Sequence, residues 1–127
     1  MSDTPYMLKR LADVTPTPCP CGSSRRMFTQ ADGVPVGIHR LSVDGAATPH
    51  YHTKLTEYYV FLEGTGTLEL DGESVPVGPG DVVMIPPGTV HAANGRFELM
   101  VVVSPPFDPE DEHLVEAGGG SSAADNT

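Results

Sequence analysis

An all-β chain of short antiparallel strands, folded as a sandwich or barrel, is what this sequence predicts. Three observations carry that class. Apolar and polar residues alternate over short runs, as in "GIHRLSV" at 37–43, the period of half-buried strands. Turn chemistry cuts the chain at close intervals, at Asp71-Gly72, Gly78-Pro79-Gly80, Pro86-Pro87-Gly88 and Asn94-Gly95. Glycine (14) and proline (13) are abundant in 127 residues and Trp is absent, which suits frequent turns better than helices. That length supports one core, since two domains would each be marginal.

In chain order, residues 5–13 ("PYMLKRLAD") could form one or two helical turns, with Leu8 and Leu11 on one side. The prolines of "VTPTPCPCG" at 14–22 end any helix. Strands are expected from about residue 25: "RRMFTQ", then "VGIHRLSVDG" with His39, Leu41 and Val43 on one face. "PHYH" follows, then "EYYVFLEG", "GTLELDGE", "SVPVG", "GDVVMIPPG", "VHAANG" and "FELMVVVSPP". Asp71-Gly72 and Asn94-Gly95 read as hairpin dipeptides, because a type I′ turn needs positive φ at both centres. This divides the chain into an N-terminal arm at 1–24, a β-domain at 25–107 and a tail at 108–127. The tail is acidic and expected to be solvated through "DPEDEHLVE", and its last part, "GGGSSAADNT", is expected to be disordered.

A formal charge of −10 argues against nucleic acid or an anionic membrane as partner, because either demands a basic face. No apolar run reaches the roughly 18 residues of a spanning helix. The first residues lack the apolar stretch of a signal peptide, so a cytoplasmic location is expected. In a reducing cytoplasm Cys19 and Cys21 are expected as free thiols, with a small disulfide or a metal pair as alternatives.

The chemistry gathers in "PHYHTKLTEYY" at 49–59. In an extended strand His50 and His52 project to one side. Glu57 lies at odd separation from His52, so "TKLT" must turn or bulge, and a fresh strand begins at Glu57 with Tyr59 and Phe61 on its face. His91 follows the rigid Pro86-Pro87-Gly88 corner. Imidazole nitrogens with a carboxylate suit a first-row divalent metal.

These residues resemble the two motifs of the cupin superfamily. Gly45, His50, His52, Glu57 and Gly64 follow the first, with Gly45 one residue closer to His50 than usual. Gly80, Pro86, Gly88 and His91 follow the second in register, with Asn94 one residue early. The resemblance covers about residues 35–103 and implies a jelly-roll barrel (a double-stranded β-helix) with a short irregular N-terminal segment. It implies one divalent metal ion per chain (Fe, Mn, Ni, Co or Zn), held by His50, His52, Glu57 and His91.

Tyr59, Phe61 and His39 are the candidate pocket residues that would meet a small-molecule substrate, and Arg26 or Arg40 could hold an anionic group if either reaches the pocket. Tyr58, Val60 and Leu62 face the other way and need a cover, which a homodimer would supply. The function expected is a metal-dependent enzyme acting on a small polar metabolite, of isomerase, epimerase or lyase type. A dioxygenase using iron or nickel is the alternative, and a non-catalytic sugar- or metabolite-binding module a third.

Overall fold

The computed structural model describes residues 5–115. Nine strands form one curled antiparallel sheet: β1 (Thr17–Cys19), β2 (Gly22–Phe28), β3 (Gly37–Ala46), β4 (His50–Tyr51), β5 (Thr56–Leu70), β6 (Glu73–Val77), β7 (Val82–Ile85), β8 (His91–Ser104) and β9 (His113–Leu114). The sheet curls on itself in the jelly-roll manner that the resemblance implies. β8 is its spine: it pairs with β3 along one edge, with β5 along the other, and with β4 through His50 and His91. The first half of β5 also pairs with β7 and its second half with β6.

Alternation places the core. On β3, His39, Leu41 and Val43 are buried while Ile38, Arg40 and Ser42 are only partly so. Leu99, Val101 and Val103 of β8 lie opposite and are also buried, as are Phe61 and Leu68 of β5. Each such side chain contributes on the order of 1.5–3 kcal/mol through burial.

The Asp71-Gly72 turn forms between β5 and β6, with φ of 49° and 89°. Asn94-Gly95 does not turn. β8 runs straight through it, with Asn94 opposite both Ala46 and Thr67. Gly95 lies in a row of glycines across three strands, opposite Gly45 and Gly66. A Cβ on Gly95 would come 2.6 Å from the Thr65 carbonyl oxygen, so close backbone approach, and not a hairpin, requires this glycine.

Three further expectations change. "EYYVFLEG" and "GTLELDGE" are one strand, β5, with a bulge between Phe61 and Glu63. The helical pattern at 5–13 yields only a 3₁₀ turn at Leu11–Asp13, because Tyr6, Met7 and Leu8 find no apolar surface and stay exposed. The sheet starts at Thr17, well before residue 25, since β1 and β2 form a hairpin that pairs onto β3. At the other end, a 3₁₀ turn at Pro109–Asp111 leads into β9, which pairs with β4. The "GGGSSAADNT" stretch lies outside the described residues. Among the described residues no helix is long and apolar enough to cross a membrane.

Candidate metal centre

Two short devices bring the histidines together. Pro49 leads the chain into the brief strand β4, where His50 stands opposite His91, and the two rings lie 4.4 Å apart between centroids. After the Pro86-Pro87-Gly88 corner, Gly88 N–H donates to the His52 carbonyl oxygen at 2.7 Å, which ties the second motif to the first. Asp71, at the β5–β6 turn, accepts from Val90 N–H through Oδ1 and donates its own N–H to the Val90 carbonyl, holding the residue before His91.

Each imidazole is oriented from behind. Nδ1 of His50 lies 3.1 Å from the Thr48 carbonyl oxygen, Nδ1 of His52 2.9 Å from that of Asp111, and Nδ1 of His91 2.9 Å from that of Thr89. A carbonyl only accepts, so each Nδ1 carries the proton and each Nε2 keeps its lone pair. The three rings offer ligand nitrogens within 4.8 Å of one another, and all three residues are buried. Burial, with the neighbouring histidines, drives His50 down to about 3, so it is a neutral donor at neutral pH.

Glu57 stands beside the three histidines. Its Oε1 lies 2.9 Å from His91 Nε2 and its Oε2 3.7 Å from His52 Nε2. Burial raises the carboxyl, but the imidazoles, His91 foremost, outweigh that and hold it below its ordinary value. Burial likewise lowers His91, and the Glu57 carboxylate outweighs it in the upward direction. The 2.9 Å contact lacks hydrogen-bond alignment: His91 Nε2 and Glu57 Oε1 are both buried polar atoms without a partner. Two orphaned atoms, an imidazole nitrogen and a carboxylate oxygen, aimed past one another into the histidine cluster are what a bound cation would satisfy. The residues present fit a divalent metal ion.

His50, His52 and Glu57 open into a small cavity of about 40 Å³, whose wall also includes Arg26, His39, Tyr59, Phe107 and Glu112. His39 is neutral there, lowered to about 4 by burial and then by Arg26. Burial, with help from Glu57, pushes the Tyr59 phenol well up, so it stays protonated. Phe61 takes no part in the wall. It lies in the core beneath, edge-on to Phe97 at 5.1 Å and to Tyr59 at 6.1 Å. Arg40 also faces away and pairs with Glu98 at 3.3 Å.

Two corrections concern what borders the site. Cys19 and Cys21 are joined as a disulfide on the cavity wall, and are not free thiols. The acidic "DPEDEHLVE" stretch is not simply solvated: Asp111 is 2% exposed and Glu112 lines the cavity. The Asp111 carboxylate accepts from Thr53 N–H, Thr53 O–H and Lys54 N–H, fixing the turn between His52 and Glu57. No local pattern marks Asp111, because its partners are some 58 residues away in sequence.

The Cupin domain family model matches residues 37–104. The chain belongs to the cupin family. A crystal structure of a protein from Planctomyces limnophilus is 37% identical and covers 87% of this chain and 96% of its own, with a TM-score of 0.80. An uncharacterised protein from Aquifex aeolicus is 38% identical over 71 residues, 54% of this chain, and the chain spans 59% of that relative's length. Quercetin 2,3-dioxygenase from Bacillus subtilis is 38% identical over 64 residues, 47% of this cupin but 19% of the dioxygenase.

Proposed function

We propose that this cupin is a metal-dependent enzyme that moves protons on a small polar metabolite, an isomerase, epimerase or lyase. The observation that supports it is a second carboxylate, Glu112, on the wall of the cavity that His50, His52 and Glu57 line. His50, His52, His91 and Glu57 would hold a divalent ion, which would supply a Lewis acid for a substrate oxygen. Polarisation of that kind acidifies the neighbouring C–H, and a base beside it completes the chemistry.

Glu112 is suited to that role. Burial raises its carboxyl above the ordinary value, in the direction that brings a general acid–base towards neutral pH. Phe107, Leu41, Val101 and Val103 keep the inner cavity apolar, which strengthens every charge interaction inside it. Tyr59, protonated throughout the working range, offers its aromatic edge to His91 at 5.8 Å between centroids.

The test is deuterium wash-in. Metal-reconstituted protein is incubated in D₂O with small hydroxy- and oxo-compounds, and carbon-bound deuterium is read by NMR. Exchange that Glu112→Gln slows about 100-fold or more while metal content holds is the expected result. The 64-residue match to a dioxygenase favours a second reading, oxygen-dependent cleavage. Oxygen uptake by the iron-loaded protein, with no deuterium exchange, would establish that reading and remove the first.

A further inference from the structure

Arg26 is a cation that the metal centre does not use. It sits on β2 directly opposite His39, on the inward face that also carries Ser24, which is 3% exposed. Its Nε donates to Ser24 Oγ at 3.3 Å, and its guanidinium carbon lies 5.1 Å from the centre of the Phe107 ring. Among the described residues no carboxylate lies within ion-pair distance of it, and Nη1 and Nη2 have no acceptor. Four of the six other cations are ion-paired elsewhere, Lys9 with Asp32, Lys54 with Asp108, Arg40 with Glu98 and Arg96 with Asp44, and Arg25 reaches the Leu11 carbonyl oxygen, outside this cavity wall.

A guanidinium fixed at Nε and stacked on an aromatic ring has lost most of its freedom, yet its outer fork still faces a cavity. Holding a charge half-buried without a partner costs free energy, so the arrangement suits an anion that arrives from solution. One planar fork without a lysine or second arginine beside it in the cavity wall matches a carboxylate better than a phosphate, which carries more charge. The span to the metal centre is short. Phe107 neighbours both, with the His52 ring centroid 5.7 Å from its own and the Arg26 guanidinium carbon 5.1 Å from it.

We propose that Arg26 docks the carboxylate of a small organic acid whose neighbouring hydroxyl or carbonyl oxygen meets the His50–His52–His91–Glu57 group. This names the substrate class of the enzyme proposed above and rests on that metal-centre reading. The Phe107 ring then forms the floor between the two anchor points, and Glu112 stands beside the carbon that joins them.

The experiment is a binding titration of the Co²⁺-loaded full chain, read by the visible Co²⁺ spectrum and by calorimetry. The probes are lactate and pyruvate, with lactamide as the uncharged match. Lactate or pyruvate is expected to bind about 30-fold or more tightly than lactamide, and Arg26→Gln to abolish that preference while Co²⁺ affinity stays unchanged. Arg26→Lys, which keeps the charge but not the fork, is expected to restore only part of it. Equal binding of lactate and lactamide to the wild-type chain, or an Arg26→Gln variant with full preference, overturns the docking role and leaves the metal centre standing. A wild-type chain that takes up no Co²⁺ overturns both. The lactate–lactamide comparison needs no variant, so a misfolded Arg26→Gln does not rescue the idea.

Discussion

At the scale of single residues, the backing of the imidazoles matters as much as the ligands. Asp111 serves twice, its carbonyl orienting His52 and its carboxylate pinning Thr53 and Lys54. Burial raises its carboxyl, but the hydrogen bonds from Thr53, Lys54 and His113 outweigh that and hold it at about 2. A carboxyl depressed in the folded chain stabilises it fully above the ordinary value of 3.8, and that contribution disappears as pH falls through about 2. The shift corresponds to about 2 kcal/mol. Asp111→Asn is therefore expected to be about 2 kcal/mol less stable than wild type at pH 5 in urea unfolding, with the gap closing towards pH 2. A gap that stays constant across that range would show that the ionised carboxylate is not what holds the turn. The same variant loosens His52, so metal affinity should drop about 10- to 100-fold, measured by competition with a chelator.

The candidate ligands were legible in the sequence as a pattern because their spacing is local: one residue between His50 and His52, a short turn to Glu57, a proline corner before His91. Asp111, Glu112 and the place of Arg26 were not legible. Each depends on a contact between distant segments that no periodicity encodes. The cysteine pair illustrates the same limit, since "CPC" permits a disulfide, a metal pair or free thiols, and only the wall it joins decides.

At the scale of elements, β5 and β8 carry the fold, and the glycines between them carry the bend. Gly64 has φ of 89°, and a Cβ there would fall 1.8 Å from the Arg96 carbonyl oxygen. Gly45 also has positive φ, 111°, but nothing lies within 4 Å of its Cβ position. Gly64→Ala is expected to cost more than about 3 kcal/mol or prevent folding, and Gly45→Ala only the backbone strain, about 1–2 kcal/mol. Denaturant unfolding of the two variants separates them, and equal losses would mean that backbone approach does not set the bend. This crowding is also why Asn94-Gly95 misleads. A dipeptide that favours a hairpin equally serves a long strand that must let two neighbours come close.

At the scale of the whole molecule, strand class and barrel were readable because alternation and turn residues recur through 25–107. Continuity was harder to read, since bulged and glycine-kinked strands look broken in sequence. One face remains open. Tyr58, Leu62, Val82 and Met84 are exposed on adjacent strands β5 and β7, with Tyr58 directly opposite Met84. A second copy of the chain is the expected cover, giving twice the 13.4 kDa chain mass by light scattering. Met84→Lys should shift that equilibrium to monomer, whereas a wild-type monomer at high concentration would leave the patch without this explanation.

The metal centre underlies everything proposed for the molecule. Elemental mass spectrometry of the chain, purified anaerobically without tag or chelator, measures it most directly, with His52→Ala and Glu57→Ala prepared in parallel. About one divalent ion per wild-type chain is expected, with strong loss in both variants and an unchanged β-sheet spectrum by circular dichroism. A wild-type chain that arrives empty and refuses added Fe, Mn, Ni, Co and Zn would contradict it.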